Sequence, residues 1–141
     1  DWRFVISGPQ QDFIFDSDIP ENCEIDIRFL APQEVVELLR SSKIFMLPST
    51  SPAETFGICQ VEALSSGCAL IRYDNNTGVP EVARGKIFTE TVSIDETQSW
   101  LEGLDRLMSE SFSQRDIVDF YFSSYGIAAT RAKYQELLER V

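Results

Sequence analysis

The hydrophobic and polar positions of this 141-residue chain alternate between two periods. Short β-rich runs follow one another with amphipathic stretches between them. "RFVISG" (Arg3 to Gly8), ended by Gly-Pro, predicts a strand. The turn-rich "QQDFIFDSDIPENCE" predicts mostly irregular structure, and "IDIRFL" (Ile25 to Leu30) alternates as a strand does. "PQEVVELLRSS" (Pro32 to Ser42) reads as a short amphipathic helix with Pro in its first turn. "KIFMLPS" (Lys43 to Ser49) is a continuous apolar run stopped by Pro, the pattern of a strand buried on both faces. After the loop "STSPAET" comes "FGICQVEALSSG" (Phe56 to Gly67), read as a buried helix with a glycine stop. "CALIRY" (Cys68 to Tyr73) is the next strand, "DNNTG" a turn, "VPEVA" a helical turn and "GKIF" a short strand. The rest reads as helical. "SIDE" (Ser93 to Glu96) and "SFSQ" (Ser111 to Gln114) fit capping boxes opening helices near Asp95–Ser109 and Phe112–Ser123, and a last helix spans about Ile127–Val141. Strands alternating with helices predict an α/β domain, a parallel sheet with helices on both faces. No repeats or low-complexity linkers interrupt it, so residues 1–141 read as one domain.

Composition narrows the chemistry. Lys and Arg total 12 against 23 Asp and Glu, a net charge of −11, and the basic residues are scattered singly. That is no footprint for nucleic acid or an anionic membrane. No apolar run approaches the roughly 20 residues of a transmembrane helix, and no signal peptide is evident. The chain opens on Asp1 rather than Met, which suggests a processed or partial chain. The three cysteines, Cys23, Cys59 and Cys68, lack the spacing of a disulfide framework or a zinc site and fit a reducing, cytoplasmic setting. The absence of histidine removes the commonest general base and every Ser/His/Asp triad.

Within that frame one stretch carries chemistry. "PAETFGICQVEAL" (Pro52 to Leu64) places Glu54 and Glu62 eight positions apart around an almost apolar segment. A helix starting near Phe56 leaves the amides of Thr55, Phe56, Gly57 and Ile58 without intrahelical acceptors, which suits an anion such as phosphate. Gly57 allows close approach to the backbone. Glu62 stands among Ile58, Cys59, Val61, Ala63 and Leu64, where a carboxylate is costly unless hydrogen-bonded. Two adjacent sugar hydroxyls would satisfy both of its oxygens. Two acceptors flanking a row of amides suit a ligand with hydroxyls at both ends and phosphate between, as in a nucleotide sugar. Each residue also has a plainer reading: Glu62 on an exposed helix face, Glu54 favoured by the helix dipole, Gly67 a helix stop. Glu81, after Pro80, is explained by either. Asp16, Asp18, Glu21, Glu24 and Asp26 read as a solvated loop rather than a metal site, for they lack calcium-loop spacing.

"LPSTSPAETFGICQVEALSSGCALI" resembles the E-x7-E signature of retaining glycosyltransferases of the GT-B fold, especially glycosyltransferase family 4. "WRFVISGP", "IRFLAPQEVVELLRSS" and "NNTGVPEV" resemble further family segments, in order along essentially the whole chain. The resemblance implies a Rossmann-like three-layer α/β/α sheet, the C-terminal lobe of a two-lobed enzyme. It implies that Glu54 faces the hydroxyls of the donor sugar as the catalytic carboxylate. Thr55, Phe56, Gly57 and Ile58 present amides to the distal phosphate and the sugar, and Glu62 accepts from the ribose. The base lies near Leu30 and Ala31 with Val35 beside it, and Gly8 sits at the rim. No metal or cofactor is implied beyond the nucleoside-diphosphate sugar; the partners are that donor and an N-terminal acceptor lobe. The chain departs from the pattern in three ways. It starts after the family's first strand and its basic phosphate loop, has Ala69 where Pro is usual, and has "SGP" for a Gly-rich turn. Alone, it is expected to be inactive. A non-catalytic binding module on the same fold is the alternative; a related sugar epimerase would need histidines that this chain lacks.

Overall fold

A computed structural model describes residues 2–8, 19–26, 28–75, 77–94 and 96–140. The chain divides into two compact units, Asp1–Glu37 and Leu38–Val141. In the first, β1 (Phe4–Ser7) and β2 (Cys23–Asp26) pair in parallel, from Phe4↔Cys23 to Ser7↔Asp26. The strand predicted over Ile25 to Leu30 begins earlier, at Cys23, and the described residues from Arg28 to Leu30 are not part of it. Arg28 turns its side chain to Asp26 (3.1 Å) and Glu34 (2.8 Å). Of the acidic residues in this region, Glu24 pairs with Arg3. Asp16 and Asp18 lie outside the described residues. Helix α1 (Pro32–Ser41) has its predicted extent and straddles the division between the units.

The second unit holds a parallel sheet in the order β3 (Ile44–Leu47), β4 (Ala69–Tyr73), β5 (Thr89–Val92). Side-chain alternation along β4 assigns its two faces. Ile71 and Tyr73 face α3 (Thr97–Ser109): Ile71 Cδ1 and Val92 Cγ1 close on Gly103, and Tyr73 stands edge-on to Trp100 at 5.0 Å. Arg72 faces the other way, toward α2 (Ile58–Ser65). Behind α2 packs α4 (Gln114–Ser124), followed by α5 (Ile127–Glu139). This is the expected Rossmann-like layering of parallel strands between helices. Leu70, Ile71, Ala63, Leu64, Val79, Val82 and Ile117 form its core. Each such side chain larger than alanine contributes about 1.5–3 kcal/mol by leaving water.

Local signals were displaced in three places. Helix α2 ends as predicted, in a Schellman motif: the Cys68 N–H donates to Ala63 O and the Gly67 N–H to Leu64 O, both at 3.0 Å. But α3 begins at Thr97 with no side-chain cap, so Ser93 opens no capping box. The box before α4 is formed by Ser113 and Asp116, two residues beyond the predicted one. And "GKIF" is not a strand; the following "TETV" is, because it is these residues that pair with Leu70–Tyr73. Among the described residues no helix is long and apolar enough to cross a membrane.

Candidate functional site

The carboxyl ends of β3, β4 and β5 open on one side of the second unit, where ligands of open α/β sheets bind. A cleft of about 500 Å³ lies there, lined by Thr50 after β3, Asp74 and Asn75 after β4, and Thr91 to Ile94 at the end of β5. The loop from β3 to α2 and the loop from β4 to a 3-10 turn (Val79–Glu81) meet beside it. They meet closely: a Cβ on Gly78 would stand 2.5 Å from Thr55 O. Thr77 bonds Asn75 Oδ1 (2.7 Å) and accepts from the Val79 amide, which fixes the second loop.

Helix α2 starts at Ile58, two residues later than expected. Gly57 precedes it at φ 70, a left-handed conformation that breaks the helix, and its Cβ position lies 2.8 Å from Gln60 Nε2. The Glu54 carboxylate reaches forward and accepts from the Gly57 N–H at 3.1 Å. One of the four expected amides is thus engaged by the neighbouring glutamate. Those of Thr55, Phe56 and Ile58 donate to no acceptor among the described residues.

The helix is also less buried than its sequence suggests. Gln60, Ala63 and Leu64 face the core, while Ile58 and Glu62, one turn apart, are exposed. Glu62 therefore avoids the cost of burial. The polar side chain carried inside is Gln60, fully buried, which the sequence reading passed over. Between the two glutamates sits Cys59; burial pushes its thiol up, Glu54 adds to this, and Glu62 adds less. Glu54 stands at the start of α2, and Glu62 lies one turn into the helix on its exposed face.

Gln60 is held by a second residue that sequence reasoning missed. Arg72, 1% exposed in β4, donates from Nη1 to Gln60 Oε1 (3.2 Å) and from Nη2 to Pro80 O (3.0 Å). The Gln60 amide nitrogen donates in turn to Phe56 O and Val79 O, each at 3.1 Å. Burial lowers the Arg72 pKa to about 10, so the group stays charged at neutral pH. The signals were an arginine inside apolar "CALIRY" and a glutamine inside "FGICQVEAL".

The remaining expected residues belong to the first unit. Gly8 follows β1, its N–H donating to Asp26 O at 3.2 Å. Ala31 precedes α1; its N–H donates to Glu34 Oε2 (2.7 Å) and its carbonyl accepts from Val35. The Ala31 amide and then Arg28 hold the Glu34 carboxyl below its ordinary range. Leu30 and Val35 are half-buried.

The sequence profile of the family "Glycosyl transferases group 1" matches residues 1–119, which cover the first unit and the second as far as α4. No curated protein matches the chain.

Proposed function

The chain belongs to the group 1 glycosyl transferases, a family of glycosyl-transfer enzymes, and from that membership we propose that it binds the nucleoside-diphosphate sugar of a retaining transferase of the family 4 type. One observation supports the reading: the Glu54 carboxylate holds the Gly57 amide just before α2, beside the open amides of Thr55, Phe56 and Ile58, with Glu62 exposed on the same helix. Exposed Glu62 is free to accept from the ribose hydroxyls. Glu54 spends one lone pair on Gly57 and retains acceptor capacity for the donor sugar. The amides of Thr55, Phe56 and Ile58 take the distal phosphate.

In this scheme the protein positions the donor and stabilises the departing diphosphate, while the sugar passes to an acceptor with retention at the anomeric carbon. The carboxylates meet hydroxyls and the amides meet phosphate, so the chemistry calls for no metal. An acceptor lobe outside this chain completes the enzyme. The three free cysteines support a reducing, cytoplasmic setting.

Calorimetric titration of the full-length protein with UDP-glucose, GDP-mannose and ADP-glucose tests the proposal. One of the three should bind, and Glu62→Gln should weaken it about tenfold, the scale of a hydrogen bond to a charged group. If none binds, the nucleotide-sugar reading fails and a non-catalytic module takes its place. If Glu62→Gln binds as tightly as the parent, the ribose assignment fails.

A further inference from the structure

Arg72 is a buried cation with no carboxylate partner among the described residues, and its Nε has no acceptor there either. Such a group is costly to desolvate, and replacing a buried charged network as a whole by well-packed apolar residues is often neutral or stabilising. Its retention in the core calls for a use other than stability. The hydrogen bonds that leave it supply one, because they run head to tail. Arg72 Nη1 donates to Gln60 Oε1, and Gln60 Nε2 donates to Phe56 O. That carbonyl shares its peptide plane with the Gly57 N–H, which donates to Glu54 Oε1. The three bonds measure 3.2, 3.1 and 3.1 Å, and they lead from a cation to an anion with every donor pointing the same way.

We propose that Arg72 and Gln60 are positioning residues for Glu54, acting through the Phe56–Gly57 peptide. The proposal rests on the reading of Glu54 as the carboxylate that meets the donor sugar. Each bond in such a chain polarises the next, strengthening it by roughly 10–30%. The Gly57 N–H therefore grips the Glu54 carboxylate more firmly than an isolated amide would, and fixes its direction. Gln60 is suited to the middle place. Its amide accepts at one end and donates at the other, whereas an ionised glutamate there would donate nothing. It lies one helical turn beyond Phe56 and reaches back across Gly57, whose missing side chain leaves the path open. The second bonds of the pair, to Val79 O and Pro80 O, fasten the adjoining loop to the same anchor.

The Gly57 amide resonance in nitrogen–proton correlation spectra of the 141-residue chain reports the chain directly. Arg72→Met should move it toward its position in Glu54→Gln, and Arg72→Lys, which keeps a cation, should restore part of the change. Arg72→Met alone strands Gln60 Oε1 and Pro80 O and risks unfolding. The pair Gln60→Leu with Arg72→Met leaves no stranded side-chain atom, although Phe56 O, Val79 O and Pro80 O lose their side-chain donors, and is the second variant to use. A folded variant of either kind with an unmoved Gly57 resonance overturns the proposal. The second arm measures affinity for the nucleotide sugar that binds, among UDP-glucose, GDP-mannose and ADP-glucose. The pair of substitutions should cost about tenfold when Glu54 is present and little when it is already glutamine. An equal loss in both backgrounds means a merely structural role and overturns it too. If no sugar nucleotide binds the parent protein, the nucleotide-sugar reading falls, while the resonance arm still decides the relay.

Discussion

Gly57 and Gly78 are both required to be glycine, for reasons that a pair of substitutions separates. Gly57 has a left-handed backbone, φ 70, and a Cβ there would meet the movable end of Gln60. A side chain in that conformation costs about 1–2 kcal/mol, and displacing Gln60 adds the loss of its bonds. Gly78 lies in an ordinary helical conformation, φ −72, yet its Cβ would stand 2.5 Å from a backbone oxygen, which has no rotamer to move. Both Gly57→Ala and Gly78→Ala should lower unfolding stability in urea, by about 2–3 and 1–3 kcal/mol respectively. The distinction lies in asparagine, which enters the left-handed region readily. Gly57→Asn should recover part of the loss, whereas Gly78→Asn should be no better than Gly78→Ala. The same response at both positions would refute this division into backbone strain and close approach. At this scale the sequence singled out Glu54, Gly57 and Glu62 as candidates, because their relationship is contained within nine consecutive residues. It could not identify the Arg72–Gln60 pair, whose partners lie on a strand and a helix and meet only when one packs on the other.

At the level of elements, helix α4 owes its start to the Ser113–Asp116 box. Ser113 Oγ accepts from the Asp116 amide, and the Asp116 carboxylate accepts from the Ser113 amide and hydroxyl, both at 2.7 Å. Ser113→Ala should cost about 1 kcal/mol, the usual value of an N-cap. The Ser113 hydroxyl, and then its amide, hold the Asp116 carboxyl below its ordinary value of 3.8. As pH falls, the unfolded chain therefore takes up the proton first. The stabilising contribution of the box is complete above the unfolded pKa and is lost as pH drops through the lower folded one. Urea midpoints between pH 6 and pH 2 should show Asp116→Asn converging on the parent at the acid end, and a constant gap would contradict the assignment. This box also shows why element boundaries were less legible than elements. "SFSQ" and "SQRD" both offer a serine three residues before a polar acceptor, so the local pattern does not choose between them; in the fold the second forms the box, with Gln114 packed close to Gly67. The strands β3 and β4 were legible because their apolar runs are continuous, although only β4 is buried on both faces and β3 is half-buried along its length. Strand β5 was not: "TETV" looks polar, and its identity comes from the backbone bonds it makes to β4, whereas Ile87 in the apolar "GKIF" is more than half exposed.

For the molecule as a whole, the parallel α/β class followed from the alternation of strands and helices, and the family match extends over both compact units. It ends within α4; α5 lies beyond it and buries no side chain. What alternation could not convey is how the charge is disposed against the proposed ligand. The chain carries −11, and a nucleoside-diphosphate sugar is itself an anion. Long-range electrostatics therefore oppose the encounter, and attraction is left to groups that act at contact: the amides at the start of α2 and the hydroxyl–carboxylate bonds. Salt distinguishes the two ranges. The Debye length falls from about 30 Å at 0.01 M to about 10 Å at 0.1 M, which screens the repulsion of distant surface carboxylates but leaves hydrogen bonds at 3 Å nearly untouched. The affinity of the 141-residue chain for its sugar nucleotide should accordingly rise over that interval, by about two- to threefold. Titrations at the two salt concentrations, with the Glu62→Gln variant alongside, provide the measurement. An affinity that fell with added salt would mean that a cationic patch dominates binding, as at a basic phosphate site. The phosphates would then have to be placed away from the amides of Thr55, Phe56 and Ile58.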